Sequence, residues 1–262
     1  MESPDNQTEQ QPVKKRGRGI YLLPNLITTA ALFAGFYGIV AATQGKFEQA
    51  AVVIFIAMIL DGLDGRVARM THTQTAFGAE YDSLADMVSF ALAPALVIYL
   101  WALSSMGKLG WLVAFIYVAG GALRLARFNT QVGVADKRYF QGLASPAAAA
   151  VVAGLVWVAN DFGWSAESLA IPAFVLTLAA GLLMVSNVRY RSFKDIDLKG
   201  KVPFFTILVV VLIFVSIAVD PPVVLFAVFL LYAVSGVVST VLGRNKLQAS
   251  KGGESTHSDD EK

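Results

Sequence analysis

Three observations predict an all-α, polytopic integral membrane protein. Over 262 residues the chain is 56% hydrophobic, with a mean hydropathy of +0.60. Only 15% of its residues are charged, against about 25% in ordinary soluble domains. The apolar residues fall in runs of membrane-crossing length, with no β-barrel alternation, so helices are the spanning element. The expected architecture is a helical bundle of about eight transmembrane helices.

The spans read, in order, 25–43, 48–68, 83–103, 109–126, 146–160, 168–187, 203–219 and 222–242. Each approaches the ~20 residues that a helix needs to cross the hydrocarbon, the fifth being the shortest. Pro24 enters span one, and a polar, Thr-rich link from Met70 to Phe77 separates spans two and three. Arg124 to Asn129 close span four, and Ser145-Pro146 open span five. Asp161 and Glu167 lie between spans five and six, and Asp220 between seven and eight.

Loop charge orients the bundle. With an even number of spans, both termini and every second loop share one side. All of the 21 basic residues except Lys46 and Lys108 fall there. The positive-inside rule makes that side cytoplasmic. Trp101, Trp111, Trp157 and Trp164 fall near the far ends of spans, as interfacial anchors do. Residues 1–19, ending in Lys14-Lys15-Arg16-Gly17-Arg18, and residues 244–262 read as disordered cytoplasmic tails. A first apolar stretch of full span length behind a long polar lead does not fit a cleavable signal peptide. The net charge of +2 is explained by topology and gives no reading as a nucleic-acid surface.

Between spans two and three lie Asp61, Asp64, Asp82 and Asp86, four carboxylates within 26 residues. Ionised Asp near a bilayer is costly unless paired, solvated or bound to a cation. Cysteine is absent, and His72 and His257 are the only histidines. Any metal is therefore hard and oxygen-bound, which favours Mg²⁺, Mn²⁺ or Ca²⁺. Asp61, Asp64 and Gly65 share a helix face, which Ala68 continues with a small side chain. That strip admits another helix or a flat ligand. Asp82 and Asp86 are one turn apart on the next helix, so a short turn between antiparallel helices brings the two pairs face to face. Four carboxylates so close repel unless one or two divalent ions neutralise them. No EF-hand spacing and no phosphate-binding Gly-Lys-Ser/Thr loop occurs. Arg69 is placed to pair with a phosphate oxygen, and equally fits a basic residue at a cytoplasmic helix end.

The pattern Asp61-x2-Asp64-Gly65-x2-Ala68-Arg69-x8-Gly78-x3-Asp82-x3-Asp86 resembles, without departure, the signature of the CDP-alcohol phosphatidyltransferases. The resemblance implies that family's membrane fold and the transfer of a phosphatidyl group from CDP-diacylglycerol to an alcohol, with release of CMP. By position, Asp61, Asp64, Asp82 and Asp86 would surround two divalent ions, Mg²⁺ or Mn²⁺, and Asp86 would also be the general base. Gly65 and Ala68 would leave room for the cytidine, beside Asp61 and Arg69, and Gly78 would let the third helix approach closely. Residues 20–200 would form the catalytic membrane domain, followed by a helix pair over 201–243.

Three segments resemble the phosphatidylserine synthase branch of the family: Pro24 to Thr29, Arg124 to Asn129 with Phe140 to Pro146, and Arg189 to Asp195. Ala144 stands where that branch commonly has Pro. The branch implies L-serine as the acceptor. A zwitterion needs a cation for its carboxylate, and Arg124, Arg127, Asn129 and Ser145 lie on the correct side to contribute. The arginines also fit membrane-end positions, and Ser145 a turn. Asn25 and Thr28 can meet the diphosphate or cap a helix. The resemblance further implies a homodimer and a bacterial-type cytoplasmic (inner) membrane, with the active site on the cytoplasmic side. Glycerol-3-phosphate or an inositol phosphate is the alternative acceptor, and would call for more arginine near the metals. A cation transporter or channel also explains intramembrane acids, but the almost wholly apolar far halves of the spans argue for a one-sided site. With no His or Cys nucleophile at the site, direct transfer is expected over a covalent phosphatidyl-enzyme.

Overall fold

The computed structural model describes residues 22–130, 139–191 and 204–254. The expected N-terminal tail (1–19), residues 255–262, and Ser192 to Asp195 lie outside the described residues. Helices α1 (Leu22–Thr43), α2 (Phe47–Thr71) and α3 (Ala76–Asp86) are followed by a π-helical turn (Met87–Leu92) that continues into α4 (Ala93–Trp101). Then come α5 (Lys108–Thr130), α6 (Ser145–Asp161), α7 (Ala170–Val185), α8 (Phe204–Val219) and α9 (Pro221–Glu254). Counting α3 to α4 as one rod, the described residues form the eight helical rods expected. Leu22–Thr43, Ala76–Trp101, Lys108–Thr130 and Pro221–Val241 are long and apolar enough to cross a membrane, and shorter apolar helices cover Ser145–Asp161, Ala170–Val185 and Leu208–Val219.

Three details differ from the sequence reading. A two-stranded antiparallel ribbon pairs β1 (Tyr139–Gln141) with β2 (Arg189–Arg191), tying together the loops that precede α6 and follow α7. Helix α9 runs on to Glu254, past the expected span end at 242 and into the stretch read as a tail. Of the four expected interfacial tryptophans, Trp111 and Trp164 are about half exposed. Trp101 is instead buried, and Trp157 packs on the Phe55 ring at 5.5 Å between centroids. Both fill space at the far end of the core, because neighbouring helices cover them there.

Helix α6 is the centre of the bundle. Ala147, Ala148, Ala149, Ala150, Ala153 and Gly154 are all buried, so α2, α4, α7 and α9 can lie against it. Between helices in lipid the apolar driving force is weak, and close packing of small residues replaces it. The same device recurs at α5 and α7, where a Cβ on Gly120 would come within 2.5 Å of the Gly181 carbonyl oxygen. Helix α8 is peripheral: its described side chains are mostly exposed, and it leans on α9.

The π turn has an identifiable cause. Pro94 has no N–H, so the Phe90 carbonyl loses its helical donor four residues on. The buried Tyr117 hydroxyl of α5 donates to that carbonyl at 3.1 Å instead. Ser89 in the same turn donates to the Ala31 carbonyl of α1 at 3.1 Å. Two glycines let the turn sit between α1 and α5: a Cβ on Gly35 would fall 2.7 Å from Ser89 Cα, and one on Gly121 would fall 2.7 Å from Ala91 Cβ. The residue that leads into this clamped turn is Asp86.

Because the Gly35 contact is with backbone, it cannot relax cheaply. Gly35→Ala should destabilise by about 1–3 kcal/mol, the usual cost of overpacking. A lower melting temperature of the detergent-purified protein checks this, and an unchanged one would contradict the packing described.

Candidate active site

The site forms where α2 ends and α3 begins. Helix α2 closes at His72, whose backbone is left-handed at φ 54°. Thr73 N–H reaches back to the Ala68 carbonyl at 3.1 Å and His72 N–H to that of Arg69 at 3.3 Å, so the chain leaves the helix abruptly. Thr75 then caps α3, its side chain accepting from Gly78 N–H at 3.0 Å. This short link returns α3 along α1, and the Asp pairs meet as the spacing predicts.

Asp61, Asp64 and Asp82 each offer a carboxylate oxygen, and the three oxygens lie within 4.8 Å of one another. Asp86 stands beside this group, its side chain within hydrogen-bonding reach of Asp61. Asp64 is the buried member, and the Thr28 hydroxyl of α1 donates to its Oδ2 at 2.6 Å. Asp82 Oδ1 is buried with no hydrogen-bond partner. Among the described residues no arginine or lysine forms an ion pair with these carboxylates. Convergent oxygens, an orphaned one among them, and no neutralising side chain fit a divalent cation bound through oxygen.

On one side of the carboxylates lie the residues expected to meet the nucleotide. The Gly65–Ala68 strip is only partly covered, and Arg69 folds back over it: its Nη1 lies 3.4 Å from where a Gly65 Cβ would be. Arg69 is also within electrostatic reach of Asp64. A Cβ on Gly78 would stand 3.3 Å from Asn25 Oδ1 and 3.1 Å from Thr75 Oγ1, so the absence of a side chain there lets α3 close on α1.

On the other side are the residues expected at the acceptor. Arg124 donates from Nη1 to Ser145 Oγ at 2.7 Å, joining α5 to the first residue of α6. Ser145 is fully buried, and Arg124 Nε and Arg127 Nη1 are buried without hydrogen-bond partners. The Arg124 guanidinium is within electrostatic reach of Asp86. Asn129 is instead drawn to α3, its Nδ2 donating to Ser83 Oγ at 3.1 Å. The sequence reading missed Ser83, and also Tyr81, whose hydroxyl lies 2.9 Å from Thr29 Oγ1. Neither belongs to a motif, and each partner is more than 40 residues away, so only the fold pairs them.

Thr28 is the only side chain donating to the buried Asp64 among the described residues. Outer partners of this kind are typically worth 10- to 100-fold in metal affinity. Thr28→Val should therefore raise about tenfold the Mg²⁺ concentration that half-maximally stabilises the protein against heat. Equal Mg²⁺ dependence of the two melting curves would refute that role.

Comparison with known proteins agrees with the geometry. A family profile described as CDP-alcohol phosphatidyltransferase matches residues 21–187. The chain is 39% identical over 223 residues to a CDP-diacylglycerol–serine O-phosphatidyltransferase of Helicobacter pylori, covering 84% of this chain and 91% of that one. It is 40% identical over 159 residues to the protein of that name from Mycobacterium bovis, covering 58% and 55% of the two chains. It is also 34% identical over 170 residues to an archaetidylserine synthase of Methanothermobacter thermautotrophicus, covering 64% and 69%. The profile spans all four aspartates, the Gly65–Ala68 strip and both sides of the site. The chain is a membrane-helical member of the CDP-alcohol phosphatidyltransferase family.

Proposed function

We propose that this protein transfers the phosphatidyl group of CDP-diacylglycerol to the hydroxyl of L-serine, giving phosphatidylserine and CMP. The observation that carries the reading is the position of Asp86, between the Asp61–Asp64–Asp82 group and the Arg124–Ser145 pair. The names of the relatives in Helicobacter and Mycobacterium support serine as the acceptor.

Asp61, Asp64, Asp82 and Asp86 would hold Mg²⁺ or Mn²⁺, two ions in our reading. Such ions would offset charge on the diphosphate and on the departing CMP. Asn25, Thr28, Gly65, Ala68, Arg69 and Gly78 bind the CDP moiety. The bare Gly65–Ala68 strip takes the flat base, and Arg69 covers it. Arg124 takes the serine carboxylate, held in place by Ser145, while Arg127 and Asn129 line the approach. Asp86 accepts the proton of the serine hydroxyl as its oxygen attacks phosphorus. The new phosphorus–oxygen bond forms while the bond to CMP breaks, and no covalent phosphatidyl-enzyme intervenes.

The lipid tails stay in the bilayer, with the site and both termini at the cytoplasmic face of a bacterial-type inner membrane. Residues 20–200 carry the chemistry and 201–243 are appended to it. The assembly we infer is a homodimer. An acceptor bearing its own phosphate would need more cation near the carboxylates than Arg124 and Arg69 provide.

The experiment is CMP release from CDP-diacylglycerol by the detergent-purified protein, with serine, glycerol-3-phosphate and inositol phosphate offered separately. Release should require serine and should stop on removal of divalent ions by EDTA. Asp86→Asn should lower it by about 10³-fold, within the usual range for a general base. Release with another acceptor would overturn serine, and metal-independent release would overturn the mechanism.

A further inference from the structure

Helix α9 lies beyond the stretch that matches the family profile, which ends at residue 187. It is nevertheless seated with care beside the acceptor side of the site. The ribbon strand β2 inserts Tyr190, fully buried, against α9, and the Tyr190 hydroxyl donates to the Ala233 carbonyl at 3.0 Å. The Tyr190 ring lies so close to Gly236 that a Cβ there would run into it. Its other face meets Tyr232, with ring centroids 5.3 Å apart. Tyr232 is half-buried and lies within electrostatic reach of the Arg124 guanidinium, the cation bonded to Ser145. Five elements therefore converge on one cation: α5 carries it, α6 receives its Nη1, Asp86 faces it, and β2 and α9 hold Tyr232 beside it.

We propose that Tyr232 of α9 is a positioning residue for the acceptor, orienting Arg124 toward the acceptor carboxylate, so that the C-terminal helix completes the acceptor pocket. The inference rests on the reading of Arg124 as the acceptor's cation. A guanidinium held at one edge by Ser145 can still swing about that bond. A phenol on the opposite side limits the swing and leaves Nε, which has no partner, for the ligand. The Tyr190 contact explains why a tyrosine ring rather than a flexible polar chain does this: the ring is stacked, and its hydroxyl is presented from a fixed place. The nucleotide side of the site, on α1 to α3, takes no part.

Tyr232→Phe keeps the ring stack and removes the hydroxyl. The test compares wild type and variant for the KM of serine, the KM of CDP-diacylglycerol, kcat and melting temperature. Loss of one hydroxyl's contribution should raise the serine KM about fivefold. The CDP-diacylglycerol KM and the melting temperature should stay as in wild type. The stabilisation that serine confers against heat, in the presence of Mg²⁺ and CDP-diacylglycerol, should need correspondingly more serine, a readout that does not depend on turnover. An unchanged serine KM, a parallel rise in both KM values, or a change that follows a lowered melting temperature would each overturn the proposal. If the wild-type protein releases CMP only with another acceptor, the serine reading fails. The same comparison with that acceptor then decides whether Tyr232 serves the pocket.

Discussion

Repulsion among the carboxylates at the junction of α2 and α3 is the constraint on which the rest of the structure depends. Three of them bring oxygens within 4.8 Å. At an effective dielectric near 20, each ionised pair at that distance costs at least about 3 kcal/mol. Three such pairs would consume most of the ~5–15 kcal/mol by which a typical domain is stable. The arrangement persists only if protons or cations neutralise it, and a metal-free catalytic use of so many acids in one place has no evident purpose. A cation-dependent site is thus a consequence of the geometry, and membership in the CDP-alcohol phosphatidyltransferase family agrees with it.

Such a cluster needs a stiff frame, because loosely held aspartates would simply move apart. The frame is supplied by small residues and by one proline. Gly35 and Gly121 admit the π turn between α1 and α5, and Pro94 frees the Phe90 carbonyl that Tyr117 ties to α5. Asp86 is carried on the first side of that turn. π-Helical turns are uncommon and gather at functional sites. Here the turn sets where Asp86 stands relative to Asp61 on one hand and Arg124 on the other.

The chemistry-bearing residues were legible in the sequence because they are local. Asp61, Asp64, Asp82 and Asp86 lie on two adjacent helices, and helical periodicity with one short turn is enough to make them converge. The eight rods were legible for a similar reason, since hydropathy reports each span independently of its neighbours. Contacts between distant segments were not legible: Arg124 with Ser145, Ser83 with Asn129, and Tyr232 beside Arg124 depend on packing that no spacing encodes. The π turn left a trace in Pro94, but a proline in a span predicts only that a carbonyl is freed, not how the helix absorbs it. Trp101 and Trp157 were misread as interfacial anchors because position along a span says nothing about which side of the helix faces its neighbours. The end of α9 was misplaced because a helix can outlast the apolar run that identifies it.

The most direct test of the carboxylate site is binding itself. Mn²⁺ bound to the detergent-purified protein can be counted by equilibrium dialysis and its environment followed by electron paramagnetic resonance, in wild type and in Asp82→Asn. The account predicts saturable binding by the wild type that is lost or greatly weakened in the variant, with both proteins folded. Failure of the folded wild type to bind Mn²⁺ or Mg²⁺, or binding that ignores the loss of Asp82, would contradict it.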